Sequence, residues 1–185
     1  MTSEKQRQGP DAPFKALQWW RGLTGQQDGR NETGKDRAAR ARLRRASPSE
    51  AICEEATLRL FAALDLPRRR LTRVATLACV LATIREDEPR PLGRALGREK
   101  IDNEQTAALS ILRFKRLLDA ESEEEIADAF RRAIAILRGK ANVRDLAKII
   151  LDFEREGMKP RIVFDYYGAG ERGNEQSDAK VETAA

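Results

Sequence analysis

An all-α protein, built as two small helical bundles joined by a short linker, is the fold this sequence predicts, and three observations carry it. Charged residues fill 35% of the 185 positions and aromatics only 5%, too few aromatic side chains for sheet faces. Leu, Ile, Val and Phe number 40, about 22% of the chain. That is just above the ~20% below which charged chains stay disordered, so a thin core completed by Ala is available. Helix-start signals recur along the chain, each followed by apolar residues three and four positions apart.

Taken in order, residues 1–12 are polar and broken by Gly9-Pro10, a flexible leader. Helical patterning begins near Pro13, where Phe14, Leu17 and Trp20 share a stripe; of the adjacent Trp19 and Trp20, one can be buried while the other reaches a neighbour. Residues 24–34 carry three glycines and form a loop ahead of a strongly basic helix that runs to Ala46. Ser47-Pro48-Ser49-Glu50 joins a capping Ser, Pro at the first helical position and Glu three residues after the cap. The helix it opens lines up Ile52, Ala56, Leu60 and Ala63 and ends before Pro67; the next covers 68–85, with Leu71, Val74, Leu77, Ala78 and Leu81 on its inner face. Glu86 to Pro91 breaks the pattern and divides an N-terminal lobe, 13–88, from a C-terminal lobe, 89–168. After the short turn Pro91–Gly97, Asp102-x-x-Gln105 opens a helix to Leu118. Ser122-x-x-Glu125 opens another, stopped at Gly139, and Asn142-x-x-Asp145 a third, stopped at Gly157. The middle one has the clearest periodicity, with Ile126, Ala129, Phe130, Ala133, Ile134 and Leu137 on one face. A last short helix follows Pro160, and the polar residues 169–185 are expected to be a disordered tail.

Composition excludes several chemistries. There is no His, which removes His-based acid–base catalysis, Ser-His-Asp triads and His-ligated metals. Cys53 and Cys79 form no CxxC pair, and both sit in Ala- and Leu-rich surroundings that suit small buried thiols. The absence of a disulfide framework and of a secretory signal points to the cytoplasm, and no apolar run approaches the ~20 residues that span a membrane. Gly168 to Gly173 spells GxGxxG, but no strand precedes it and no helical pattern follows, so it cradles no phosphate. The acids Glu121, Glu123, Glu124, Glu125 and Asp128 gather at a helix start, where the macrodipole favours negative charge without any catalytic purpose. No cofactor and no catalytic residue are therefore expected.

The basic residues are distributed differently. Between Arg30 and Arg45 seven Arg or Lys face two acids. On a helix, Arg37, Arg40 and Arg44 fall within about 60° of one another, opposite Ala39, Leu43 and Ala46. That geometry presents a ridge of guanidinium groups, Arg45 beside it, suited to planar contact with phosphate oxygens. Arg68-Arg69-Arg70 with Arg73, then Arg94, Arg98, Lys100, Arg113, Lys115 and Arg116, extend the basic character. Arg131 and Arg132, Arg138 and Lys140, and the i, i+4 pair Arg144 and Lys148 continue it. A groove lined by such groups would follow a phosphate backbone with little base reading. Two other readings stand beside it: an adaptor whose basic face binds an acidic protein partner, and a sequence-specific DNA-binding regulator. The second would send Glu123, Glu124 and Glu125 first into the major groove, a poor recognition helix.

The order of segments is similar to that of a known family. An early Trp helix and a Gly-rich loop lead to DRAARARLRRASPSE; LGRAL, LRFKRLLDAESEEEIADAFRRAIAIL and VRDLAKIILDF then follow in turn. Over residues 13–168 this resembles the CasB family, the small subunit of the type I-E CRISPR surveillance complex, Cascade. The resemblance implies an all-helical, non-enzymatic subunit, paired with a second copy of itself among the other Cascade subunits. Such subunits help hold crRNA and the single-stranded target or displaced DNA. It also implies nucleic-acid contact around Leu43-Arg44-Arg45-Ala46, around Arg94 in the LGRAL turn, and at Arg131 and Arg132. The chain departs from the family at Phe153, where members often carry Trp; the closing aromatic pair is present as Tyr166-Tyr167.

Overall fold

Side-chain caps set where the helices begin. The computed structural model describes residues 12–26, 31–97 and 107–168. The first half of these comprises α1 (Ala12–Thr24), α2 (Gly34–Arg45), α3 (Pro48–Ala51), α4 (Glu55–Leu64), a 3-10 turn (Arg68–Arg70), α5 (Leu71–Leu81) and β1 (Glu86–Asp87). The second comprises α6 (Leu92–Leu96), α7 (Ile111–Leu118), α8 (Glu123–Ile136), β2 (Lys140–Ala141), α9 (Val143–Leu151) and α10 (Met158–Tyr166). Reciprocal capping boxes open α2 (Thr33 with Asp36), α3 (Ser47 with Glu50) and α8 (Ser122 with Glu125). In α9 the Asn142 side chain accepts the Asp145 N–H and the Asp87 carboxylate takes that of Val143. Each satisfies donors that a helix start leaves without partners.

The all-α expectation holds, with one addition. β1 and β2 pair in parallel, Glu86 with Lys140 and Asp87 with Ala141, so the expected linker is partly a two-residue strand. α5 is the axis of the fold. Every residue from Arg73 to Leu81 is buried, the sign of a helix surrounded on all sides, and α2, α3, α4, α8 and α9 pack against it. α1 lies along α9 and also touches α2 and α4. One hydrophobic core therefore takes residues from both sides of residue 88. α6 packs on α10 closely enough that a Cβ on Gly93 would come within 2.6 Å of the Asp165 Cβ. The ring of Tyr166 stacks on Phe114 at 3.8 Å and its hydroxyl donates to the Leu109 carbonyl at 2.6 Å, fixing α7 to α10. Phe153 is buried edge-on against Phe130, 5.6 Å between ring centres.

Several details differ from the sequence reading. Trp20 is buried and Trp19 donates its indole N–H to the Ala56 carbonyl, as the pair suggested, but Phe14 is 50% exposed and Ala16 takes its place on the inner stripe. The helix opened at Ser47 is two helices. Glu54 adopts extended geometry and restarts the chain as α4, which leaves Ile52 half-buried, turns Ala63 outward, and buries Thr57 and Leu64. Cys53 falls in the turn between them and is exposed, contrary to expectation; Cys79 is buried, and burial pushes its thiol up to about 11. α9 stops at Leu151, well before Gly157; that glycine, with φ 88°, instead precedes α10. The 3-10 turn and Ile84 flank α5, where one helix over 68–85 was expected. The leader to residue 11, Arg30, the helix start at Asp102, Arg98, Lys100 and all but the first residue of the GxGxxG segment lie outside the described residues, as does the tail 169–185.

Candidate nucleic-acid interface

The C-terminal ends of α2, α5 and α8 meet on one side of the molecule, and arginines bind the carbonyls that those ends leave over. Arg131 donates to the carbonyls of Leu43 (3.0 Å) and Ala46 (2.7 Å), closing α2. Arg40 donates to Ala82 (3.2 Å) and Ile84 (2.7 Å), closing α5. Both are largely buried, with side chains 17% and 20% exposed. Burial holds the Arg40 guanidinium below its ordinary value, with Glu32 opposing that shift. Orphan carbonyls at a helix C-terminus are ordinary partners for a cation.

Between these ends lies a groove of about 520 Å³ lined by Arg44, Arg85, Arg131 and Arg138 together with Thr83, Ile134, Ala135 and Gly139, with no acidic residue in its wall. Arg44, Arg85 and Arg138 are exposed, and their guanidinium groups make no hydrogen bond or ion pair among the described residues. Arg138 is held in left-handed backbone geometry at φ 57°, with Gly139 at φ 85° following. Three helix C-termini each contribute roughly half a negative charge here, so four arginines leave the groove cationic.

The remaining basic candidates are scattered around this groove or lie apart from it. Arg45 is exposed without a side-chain partner among the described residues. Arg37 sits 3.4 Å from Glu32 and Arg132 3.5 Å from Asp128, both largely exposed. Arg94 lies 3.8 Å from Asp165 beside α6 and α10. Lys140 pairs with Glu86 at 2.7 Å, and that hydrogen bond and charge hold its amine above the ordinary value. Arg144 and Lys148 are exposed on α9 and border a separate hollow. Arg73 and Arg70 point inward. Arg73 is buried between Glu123 (2.8 Å) and Glu154 (2.6 Å) and also donates to the Ile150 carbonyl, while Arg70 donates to the Leu151 carbonyl. Glu123 serves Arg73 and Thr76, Glu125 closes the cap of α8, and no metal-binding group of His, Cys, Asp or Glu occurs among the described residues.

Sequence reasoning missed Arg85. As the last residue of the expected helix 68–85 it would share the phase of the inner stripe; α5 instead ends at Leu81, and Arg85 reaches the groove beyond it, where its N–H bonds the Gly139 carbonyl at 2.8 Å. The outward ridge of Arg37, Arg40 and Arg44 is also altered: Arg40 lies about 60° from the buried Leu43 around α2, close enough to turn inward.

Fold and groove together define a class, the small all-helical protein with an arginine-lined groove at converging helix ends. Residues 39–167 match the model of the family described as CRISPR-associated protein Cse2. The chain belongs to that family, also called CasB, and is thereby a Cascade subunit of CRISPR defence. Neither the curated proteins nor the solved structures compared with it gave a significant match. Among the described residues no helix is long and apolar enough to cross a membrane.

Proposed function

We propose that the chain is a non-catalytic, nucleic-acid-binding small subunit of the type I-E complex, steadying crRNA and the target or displaced DNA strand through arginine–phosphate contacts. The observation that carries this is the groove whose Arg44, Arg85 and Arg138 lack partners among the described residues and whose wall holds no acid. Guanidinium forks match phosphate oxygens in pairs, and such contacts position a strand without reading it. Arg45, Arg37 and Arg132, outside the groove lining, are secondary contacts, while Arg131 forms part of its wall and Arg40 closes the adjoining end of α5. The lack of His and the structural employment of Glu123 and Glu125 support a binding rather than a reacting role. The reading includes a cytoplasmic setting, a second copy of the chain and the other Cascade subunits as partners, and no membrane.

The test is fluorescence anisotropy of the full chain with single-stranded DNA, RNA and duplex at two salt concentrations. The triple variant Arg44→Ala, Arg85→Ala, Arg138→Ala is expected to weaken binding about equally across sequences. Its salt slope should flatten by about 0.7 for each single-strand phosphate that it no longer neutralises. A helical triple variant with an unchanged slope would favour the adaptor for an acidic protein.

A further inference from the structure

The groove has a neighbour. Gly139 and Arg85, which line it, immediately precede β2 and β1; Asn142 and Pro91, which follow the two strands, line a second hollow of about 360 Å³. Because β1 and β2 run parallel, groove and hollow lie at opposite ends of one short strand pair. At ~3.3 Å per residue, Gly139 and Asn142 are roughly 10 Å apart along the backbone, about the span of two extended nucleotides.

The hollow differs in kind from the groove. Pro13, Pro91 and Phe14, the last 50% exposed, line it together with Arg144 and Lys148 on α9. The packing of α1 along α9 sets that ring beside the two cations. Neither cation has a side-chain partner among the described residues. The one acid present, Asp145, is already engaged: it accepts the Leu92 N–H at 2.8 Å and pairs with Arg161. Asn142 is engaged as well, capping α9 and donating to the Pro89 carbonyl. What remains available is an aromatic face flanked by two positive charges. An unpaired base presents a π-face and its phosphate a negative charge, and this is the pairing that single-strand binders use.

We propose that the hollow framed by Phe14, Arg144 and Lys148 is a base-stacking subsite for single-stranded nucleic acid, entered by a strand as it leaves the arginine groove. The proposal rests on the groove's assigned role and adds to it a reason for preferring single strands, since bases within a duplex are already stacked and cannot lie on the ring.

The experiment uses the full chain, a labelled oligo-dT of about a dozen nucleotides, in the range that single-strand sites cover, and a duplex of equal length. Phe14→Leu keeps apolar bulk and removes the ring, and Phe14→Trp keeps a ring. Phe14→Leu should weaken oligo-dT binding about tenfold, leave the duplex unchanged and leave the salt slope unchanged, since stacking releases no counterion. Phe14→Trp should bind as the unmodified chain does. The double variant Arg144→Ala, Lys148→Ala should instead lower the slope by about 0.7 for each phosphate no longer neutralised. Photocrosslinking to oligo-dT carrying 5-iodouracil should label residue 14. Equal binding of oligo-dT by Phe14→Leu and the unmodified chain overturns the subsite, as does equal weakening on both probes. Loss of binding in the groove triple variant but not in Phe14→Leu rejects the subsite and keeps the groove; the reverse rejects the groove's role.

Discussion

Arg138 combines an unusual backbone with an unengaged side chain. A non-glycine residue at φ 57° costs of the order of 1 kcal/mol, and helix ends normally place Gly or Asn in that conformation. Glycine would meet the backbone requirement at lower cost; on the proposed reading, contact between this guanidinium and phosphate is what offsets that cost. Arg138→Gly is therefore expected to raise unfolding stability by about 1 kcal/mol in urea titrations while weakening oligo-dT binding, and Arg138→Lys to change stability little. A stabilised Arg138→Gly variant with undiminished binding would show that the side chain is idle. Legibility at this scale depended on angular position. Arg44, opposite the apolar stripe of its helix, was readable as an outward cation. Arg40 and Arg131, at the edges of buried stripes, were not readable as caps, because the carbonyls they bind lie 42 to 88 residues away in sequence. Arg85 fell on the inner phase of a helix expected to run to residue 85, and became an exposed cation because α5 stops at Leu81.

Three capped helix starts were legible, whereas the uncapped restart at Glu54 and the end of α9 were not. Ser47, Ser122 and Asn142 cap where their sequence pattern placed them, because a cap is a contact made within four residues. The ends depend on distant packing. α9 stops at Leu151, the residue whose carbonyl accepts from Arg70, and the chain then turns so that Glu154 meets Arg73. Arg73 is thus the tie between α5, the first turn of α8 and the turn after α9. Removing one member of a buried pair leaves the other charge uncompensated, typically a loss of ~3 kcal/mol or more. Arg73→Met should accordingly lose about 3 kcal/mol in chemical denaturation. Glu154→Gln, whose carboxylate is 70% exposed, should lose less than about 1 kcal/mol. Equal effects from the two would mean that the tie is made by the exposed carboxylate alone.

At the scale of the whole molecule, size limits what one copy can hold. A compact chain of 185 residues has a radius of gyration near 16 Å by the usual scaling. On the proposed reading, groove and hollow together would hold only a few nucleotides, and modest affinity is expected from each copy. Longer strands need several copies in line or a scaffold that raises the effective concentration. The free chain is expected to sediment as a monomer or weak self-associate at micromolar concentration, with stable pairing only inside the complex. A tight two-fold dimer of the free chain, with Arg44, Arg85 and Arg138 inside its interface, would contradict both the assembly and the groove.

The long partnership of α1 with α9 also bears on how the chain is made. Once made, α1 meets its main neighbour only after roughly 120 further residues have been added. At the usual ~5–20 residues per second that is a wait of several seconds or more. During it, α1 has α2 and α4 to pack against but not α9. Termination anywhere before Val143 therefore releases a chain whose α1 lacks its α9 partner.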